Sequence, residues 1–282
     1  MQKFLRMKKE NYQMAKQTNG LCKYCGNEYA RSGMLRHLAA CSERKAALNK
    51  ETGSRTSGYY ELLVEGKDKP QYWLIIEMKE SATLKELDQF IRDIWVECCG
   101  HLSAFDIGGQ VYEMVPSGGE FWGPPAAGMN PELKELFSPG LVLEYNYDFG
   151  QTTSLMIRVL DYRSGVWKDE TVTILSRNNP PEIPCCRCGR QAECVDPERM
   201  LEGDGFWCRE CLMAQNRRDA EEELEDGEVL EDGGPVQDDD ENFMDEYLLP
   251  VCNSPRMGVC AYEGSEIYPD CLEPDKKAKI QQ

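Results

Sequence analysis

The chain has 282 residues, a formal net charge of −18 and fourteen cysteines. Domains run roughly 100–200 residues, so the length holds one domain of ordinary size plus smaller modules. No apolar run approaches the roughly 20 residues that cross a bilayer, and MQKFLRMKKENYQMAKQ lacks the continuous apolar core of a secretory signal, so a cytoplasmic protein without membrane contact is expected.

Most of the cysteines fall in Cys-x-x-Cys or ligand-like arrangements, which in a reducing compartment read as metal sites rather than disulfides. Charge is unevenly spread. Residues 1–56 carry twelve bases against four acids, whereas Asp219 to Glu246 carries fifteen acids and no Lys or Arg. The chain thus has a basic head and an acidic tail.

Residues 1–19 are a basic amino-terminal segment. In the next segment, residues 20–50, LCKYCGNEYARSGMLRHLAAC places Cys22, Cys25, His37 and Cys41 at C-x2-C-x11-H-x3-C. The close pair followed by Gly26 suits a tight knuckle, and Ser32 is read as the cap of a helix that carries His37 and Cys41 one turn apart. Four borderline ligands on a strand-turn-helix frame predict a zinc finger. Lys23, Arg31, Arg36, Arg44 and Lys45 give it a basic surface for DNA or RNA, while a structural or protein-binding finger is the competing reading.

Residues 57–180 read as an α+β domain. YYELLVEG and QYWLIIEM are β-branched and aromatic runs split by Lys67-Asp68-Lys69-Pro70, hence two adjacent strands. Between Ser81 and Phe105, Leu84, Leu87, Ile91, Ile94 and Cys98 recur at helical spacing, with Lys85, Asp88, Gln89, Arg92 and Asp93 on the polar face. Thr83 with Glu86 predicts a capping box, and Gly100 a stop. HLSAFDI and QVYEMV flank Gly108-Gly109, a two-residue hairpin loop. Ser117 to Gly140 is a Gly- and Pro-rich loop containing the short helical PELKELF. LVLEYNYDFG and TTSLMIRVLDY form another strand pair, and ETVTILS one more strand. The expected fold is α+β, with mainly antiparallel sheets around one core helix and small zinc modules at its flanks.

GHLSAFDI, LEYNYDFG and LSRNNPPEIPC-x-x-CG resemble the plasmid pRiA ORF-3-like family, also described as an insertion-element passenger or TnpR-like domain. CKYCGNEYARSGMLRHLAAC resembles a finger carried by some members, and LLPVCNSPRMGVCAYEGS their terminal segment. The resemblance spans roughly residues 20 to 272 and implies antiparallel sheets curled round a helix, in proteins associated with mobile elements. Many members follow the Asp-Phe-Gly with an Asp, a Trp and a His. This chain has Gln151, Thr153 and Leu155 there, so chemistry built on that His cannot operate.

With His37 assigned to zinc, His101 is the remaining imidazole, and no phosphate loop, dinucleotide fingerprint or HExxH motif is present. An enzyme site, if there is one, would lie near His101, Tyr145 and Asp148. A zinc-binding, non-enzymatic binding or adaptor protein is the principal reading.

Residues 183–216 hold Cys185, Cys188, Cys208 and Cys211 at C-x2-C-x19-C-x2-C, the spacing of a zinc ribbon. Cys186 and Cys194 are left over, and either could join the site. Two zinc ions are therefore expected. Cys98, Cys99, Cys252, Cys260 and Cys271 have no recognisable ligand spacing and are read as buried or free thiols. LMAQNRRDAEEELE is read as a helical extension. Residues 219–246 are too charged to build a core and read as a disordered linker, either inert or able to fold over the finger and compete with nucleic acid. Residues 247–282 regain apolar character and should dock back or bind a protein partner.

Overall fold

The structure, a computed structural model, describes residues 18–116, 125–200, 203–225 and 248–275. The basic segment up to residue 17, the loop over 117–124 and the acidic linker from 226 to 246 lie outside the described residues. The chain divides into two compact units. The larger comprises the described parts of 15–181, 253–256 and 264–282, and the smaller those of 182–252 and 257–263.

The larger unit is built on one ten-stranded sheet whose pairings are antiparallel except for the last. In chain order its strands are β1 (Asn19–Cys22), β2 (Glu28–Ala30), β3 (Thr56–Gly66), β4 (Trp73–Lys79), β5 (Ser103–Ile107), β6 (Gln110–Glu113), β7 (Ala127–Gly128), β8 (Val142–Tyr147), β9 (Thr153–Val166) and β10 (Val172–Asn178). The spatial order is β2-β1-β10-β4-β3-β9-β8-β5-β6-β7. The mixed α+β class expected from the sequence is what the chain adopts.

The two runs read as adjacent strands pair as β3 and β4, Tyr59 opposite Lys79 through Glu65 opposite Trp73. Every residue of β4 is buried, so this strand has an inside on both faces. Gly108 and Gly109 adopt positive φ and close the β5–β6 hairpin, with Ile107 opposite Gln110.

Among the described residues, helices α1 (Arg31–Ala40), α2 (Ser42–Lys50), α3 (Leu84–Ile91) and α4 (Leu133–Leu136) accompany the strands of the larger unit, and α5 (Pro197–Met200) and α6 (Arg209–Glu225) those of the smaller. Helix α3 starts at the capping box expected, Thr83 and Glu86 each satisfying a backbone donor of the other. Leu84, Leu87, Ile91, Ile94 and Trp95 are fully buried. Two features of this helix differ from the sequence reading.

Asp88 and Arg92 are not on a solvated face. Asp88 is buried and accepts hydrogen bonds from Arg92 Nε at 2.7 Å, Ser103 Oγ at 2.6 Å and Tyr145 Oη at 2.8 Å. A carboxylate with three donors can sit inside, and here it pins α3 to β5 and β8. The helix also ends early: Arg92–Val96 forms a π turn, closed by Glu97 N donating to Arg92 O. Cys98 therefore belongs to the following loop and not to the helical stripe.

The smaller unit has a three-stranded sheet of two-residue strands, β11 (Cys194–Val195) between β12 (Phe206–Trp207) and β13 (Leu249–Pro250). The segment after the acidic linker thus docks back within the chain. Beyond β13, Asn253, Ser254 and Arg256 are buried in the larger unit. Among the described residues, no helix is long and apolar enough to cross a membrane.

Candidate metal centres

In the finger, Cys22 ends β1 and Cys25 lies in the turn before β2. Gly26, at positive φ, donates its N–H to Cys22 O, and Cys22 N–H reaches Asn27 O, which makes the knuckle. Helix α1 begins directly after β2, capped at Ala30 without a side-chain bond, so Ser32 is an exposed residue of the first turn and not the cap. The chain passes from strand to helix with no residue to spare for a polar cap. His37 lies on α1 and stacks on Tyr29 with ring centres 4.4 Å apart. Cys41 closes α1 and caps α2, its sulfur accepting from Arg44 N.

The four ligand atoms lie within 4.8 Å of one another, with Cys25 Sγ 3.2 Å from His37 Nε2. Burial holds His37 below the ordinary imidazole value, favouring the neutral ligand form, and pushes the Cys22 thiol up to about 12. A buried thiol of that kind ionises when a dication is there to receive it.

The ribbon repeats the knuckle. Gly189, again at positive φ, donates to Cys185 O, and Cys185 N–H reaches Arg190 O. Cys185, Cys188, Cys208 and Cys211 form a second group within 4.8 Å, and Cys188 and Cys208 sulfurs are 3.6 Å apart. Zinc–sulfur bonds of about 2.3 Å in a tetrahedron separate neighbouring sulfurs by about 3.8 Å, so the spacing fits. Cys186 and Cys194 are outside the group; Cys194 donates to Trp207 O. Arg190 hydrogen-bonds to Cys188 and holds its thiol down at about 6.

Where two metal groups were expected, the structure brings together three. Cys98, Cys99 and His101, in the loop after the π turn, also place their ligand atoms within 4.8 Å of one another. Sequence reading set these cysteines aside because a vicinal pair has no Cys-x-x-Cys spacing. The usable signal was the C-C-x-H run itself, which puts three ligand types within four residues.

The five basic residues proposed for nucleic acid do not share one free surface. Lys23 is 3.3 Å from Asp275, and Arg31 pairs with Glu65. Arg44 is buried and bonds to Glu61 at 2.6 Å and Glu77 at 3.1 Å. Glu77 also receives Arg163. Burial opposes ionisation of both carboxyls. At Glu77 the Arg163 and Arg44 guanidiniums outweigh it and hold the carboxyl below its ordinary range; at Glu61, with Arg44 as its cation, burial prevails and the carboxyl is raised. Arg36 and Lys45 are exposed.

The ion pairs among Arg44, Glu61, Glu77 and Arg163 line a cavity of about 270 Å³ with Leu38, Tyr59 and Tyr162. None of His101, Tyr145 and Asp148 faces it. The Tyr145 hydroxyl is held by Asp88, while His101 Nε2 lies 3.0 Å from Cys99 Sγ and 3.5 Å from Asp148 Oδ2. A nucleophile–imidazole–carboxylate relay uses the two ring nitrogens on opposite sides, and here both neighbours meet the same nitrogen. Asp148 itself has a φ of 65°. Burial opposes its charge, but Arg256 and the amides of Gln151 and Gly150 hold its carboxyl below the ordinary range.

No known protein family matches the chain, and no curated protein does. Among solved structures, a protein of unknown function from Methanosarcina mazei Go1 is similar at 20% identity with a TM-score of 0.35, over 43% of this chain and 67% of that one. So distant a likeness assigns neither activity nor partner.

Proposed function

We propose that this is a zinc-binding protein of the binding or adaptor class, with zinc in the finger and the ribbon serving structure and not catalysis. One observation carries the reading. The finger is not a bead on a tether: Met34 and Leu38 of α1 pack with Cys22, Cys41, Leu63, Trp73, Ile75 and Leu175 in one buried cluster. Its metal ligands are therefore part of the wall of the sheet domain, where four protein side chains would fill a tetrahedral ion and leave no open position for substrate. The resemblance to plasmid ORF-3-like proteins brings no settled activity and would add only a mobile-element setting.

Of the five basic residues, Arg36 and Lys45 are the ones left exposed, and a contact with DNA or RNA through the finger would run through them. The test is fluorescence anisotropy of the zinc-loaded full chain on generic duplex DNA across a salt series. Arg36→Ala with Lys45→Ala removes two phosphate contacts, so the salt slope should fall by about 1.8 and affinity should drop at every salt concentration. Binding with an unchanged slope removes Arg36 and Lys45 from the contact, and no binding at low salt overturns the nucleic-acid arm and leaves a protein partner as the adaptor's target.

A further inference from the structure

The loop between the π turn and β5 takes no part in the finger or the ribbon, yet its backbone is held from several sides. Gly100, at a φ of 78°, donates to Glu97 Oε1 at 2.7 Å. Arg92 bonds to Glu97 Oε2 and to His101 O, each at 2.7 Å. Tyr147 Oη donates to Glu97 at 3.0 Å and accepts from His101 N at 3.3 Å. These bonds fix the main chain around Cys98, Cys99 and His101 and leave the three ligand side chains turned toward one another.

We propose that Cys98, Cys99 and His101 hold a third metal ion of the zinc class. The Cys98 and Cys99 sulfurs are 3.7 Å apart, close to the roughly 3.8 Å edge of a tetrahedral zinc–thiolate site and far beyond the roughly 2.05 Å of a disulfide. Two thiolates and an imidazole are ligands that zinc takes together. Charge points the same way. As metal ligands Cys98 and Cys99 would be thiolates, and with the Asp148 carboxylate, which lies 3.5 Å from His101, they would carry three negative charges. Arg256, fully buried, answers with one, donating to Cys98 Sγ at 3.4 Å and Asp148 Oδ2 at 2.8 Å. A dication brings the group to neutrality. Arg256 also donates to Gln151 O and Thr153 Oγ1, so the ion would close a clip joining the loop, β9 and the Asn253–Arg256 strap.

Metal analysis of the intact chain after removal of loosely bound ions tests this, with zinc as the probe and cobalt(II) absorption as the check on ligand type. Wild-type protein should hold three zinc equivalents per chain, matching the three ligand groups. Cys99 is exposed and His101 half-buried, so Cys99→Ser and His101→Asn leave the core intact; each should lose one equivalent and keep the circular dichroism of the wild type. The same loss in Cys252→Ser, Cys260→Ser or Cys271→Ser would name the fourth ligand. A wild type with two equivalents, lost singly in Cys22→Ser and Cys185→Ser, overturns the third site and spares the finger and ribbon. Full retention by Cys99→Ser and His101→Asn overturns it as well. A wild type that binds no zinc removes the proposed function itself.

Discussion

The finger and the ribbon share their local chemistry and differ in what surrounds it. Each opens with a Cys-x-x-Cys knuckle closed by a glycine at positive φ, Gly26 in one and Gly189 in the other. In the finger, Cys22 and Cys41 are buried in a cluster that includes Leu63, Trp73, Ile75 and Leu175 of a ten-stranded sheet. In the ribbon, the strands are two residues long, Cys188 is exposed, and the apolar supply amounts to side chains such as Ile183, Val195, Phe206 and Trp207. A metal held at such a four-ligand site would be a cross-link in one region and the main substance of the core in the other.

The largest expected effect is the response to chelation. Structural zinc contributes about 10–16 kcal/mol in small finger peptides, far more than a segment with so few apolar contacts can replace. Stripping the metal should unfold 183–216, and amide hydrogen exchange there should approach the rate of a free chain. Strands β3 and β9 should stay protected, because their eleven paired positions do not depend on a ligand. Loss of protection in β3 and β9 at the same chelator concentration would show that the finger's zinc is as indispensable as the ribbon's, and would erase the contrast.

How much of this was legible follows from the period of each signal. The finger and ribbon ligands were readable because their chemistry repeats at fixed spacing, and the strand pairs because apolar runs alternate with turn residues such as Gly108-Gly109. The helix cap at Thr83 was readable for the same local reason. Asp88 was not. Its partners Ser103 and Tyr145 are fifteen and fifty-seven residues away, and a helical projection sees a charged residue without the donors that make it internal. Cys98 and Cys99 were set aside because a vicinal pair lacks Cys-x-x-Cys spacing, and the helical projection ran on to Cys98, whereas the π turn at Arg92–Val96 ends the helix and leaves both cysteines in a loop beside His101. Arg44 looked like a surface base for want of knowledge that Glu61 and Glu77 stand opposite it.

Arg44 gives the second test. It lies on α2, directly after the ligand Cys41, and ties the finger to β3 and β4 without help from metal. The ribbon's counterpart, Arg190 with Glu210, is exposed on both sides and contributes little to stability. Glu77→Gln leaves Arg44 and Arg163 without their common carboxylate and should destabilise the larger unit by about 3–5 kcal/mol in denaturant unfolding at neutral pH. The carboxyl of Glu77 is held below its ordinary range when folded, so its contribution is complete above that range and is lost as pH falls through the lower folded value. The gap between wild type and variant should accordingly close in acid. A variant as stable as the wild type at neutral pH would mean that metal and the buried apolar cluster fasten the finger without the ion pair.

The smallest effect concerns the ribbon's entry to metal binding. Arg190 hydrogen-bonds to Cys188 and holds its thiol at about 6, so one of the four sulfurs is largely ionised at neutral pH before any ion arrives. Zinc must displace a proton from every thiol that still carries one, so this sulfur is the natural first ligand. Arg190→Ala returns the thiol toward its ordinary value. Protons then compete for that sulfur at higher pH, and the midpoint for zinc loading of the ribbon, followed by chelator competition across a pH series, should move upward. At alkaline pH, where Cys188 is ionised with or without its guanidinium, wild type and variant should converge. The finger, whose Cys22 is held protonated by burial with no such cation beside it, should load at the same pH in both proteins. A midpoint that moves in the finger as well as the ribbon would place the effect in global stability and not in the Arg190–Cys188 pair.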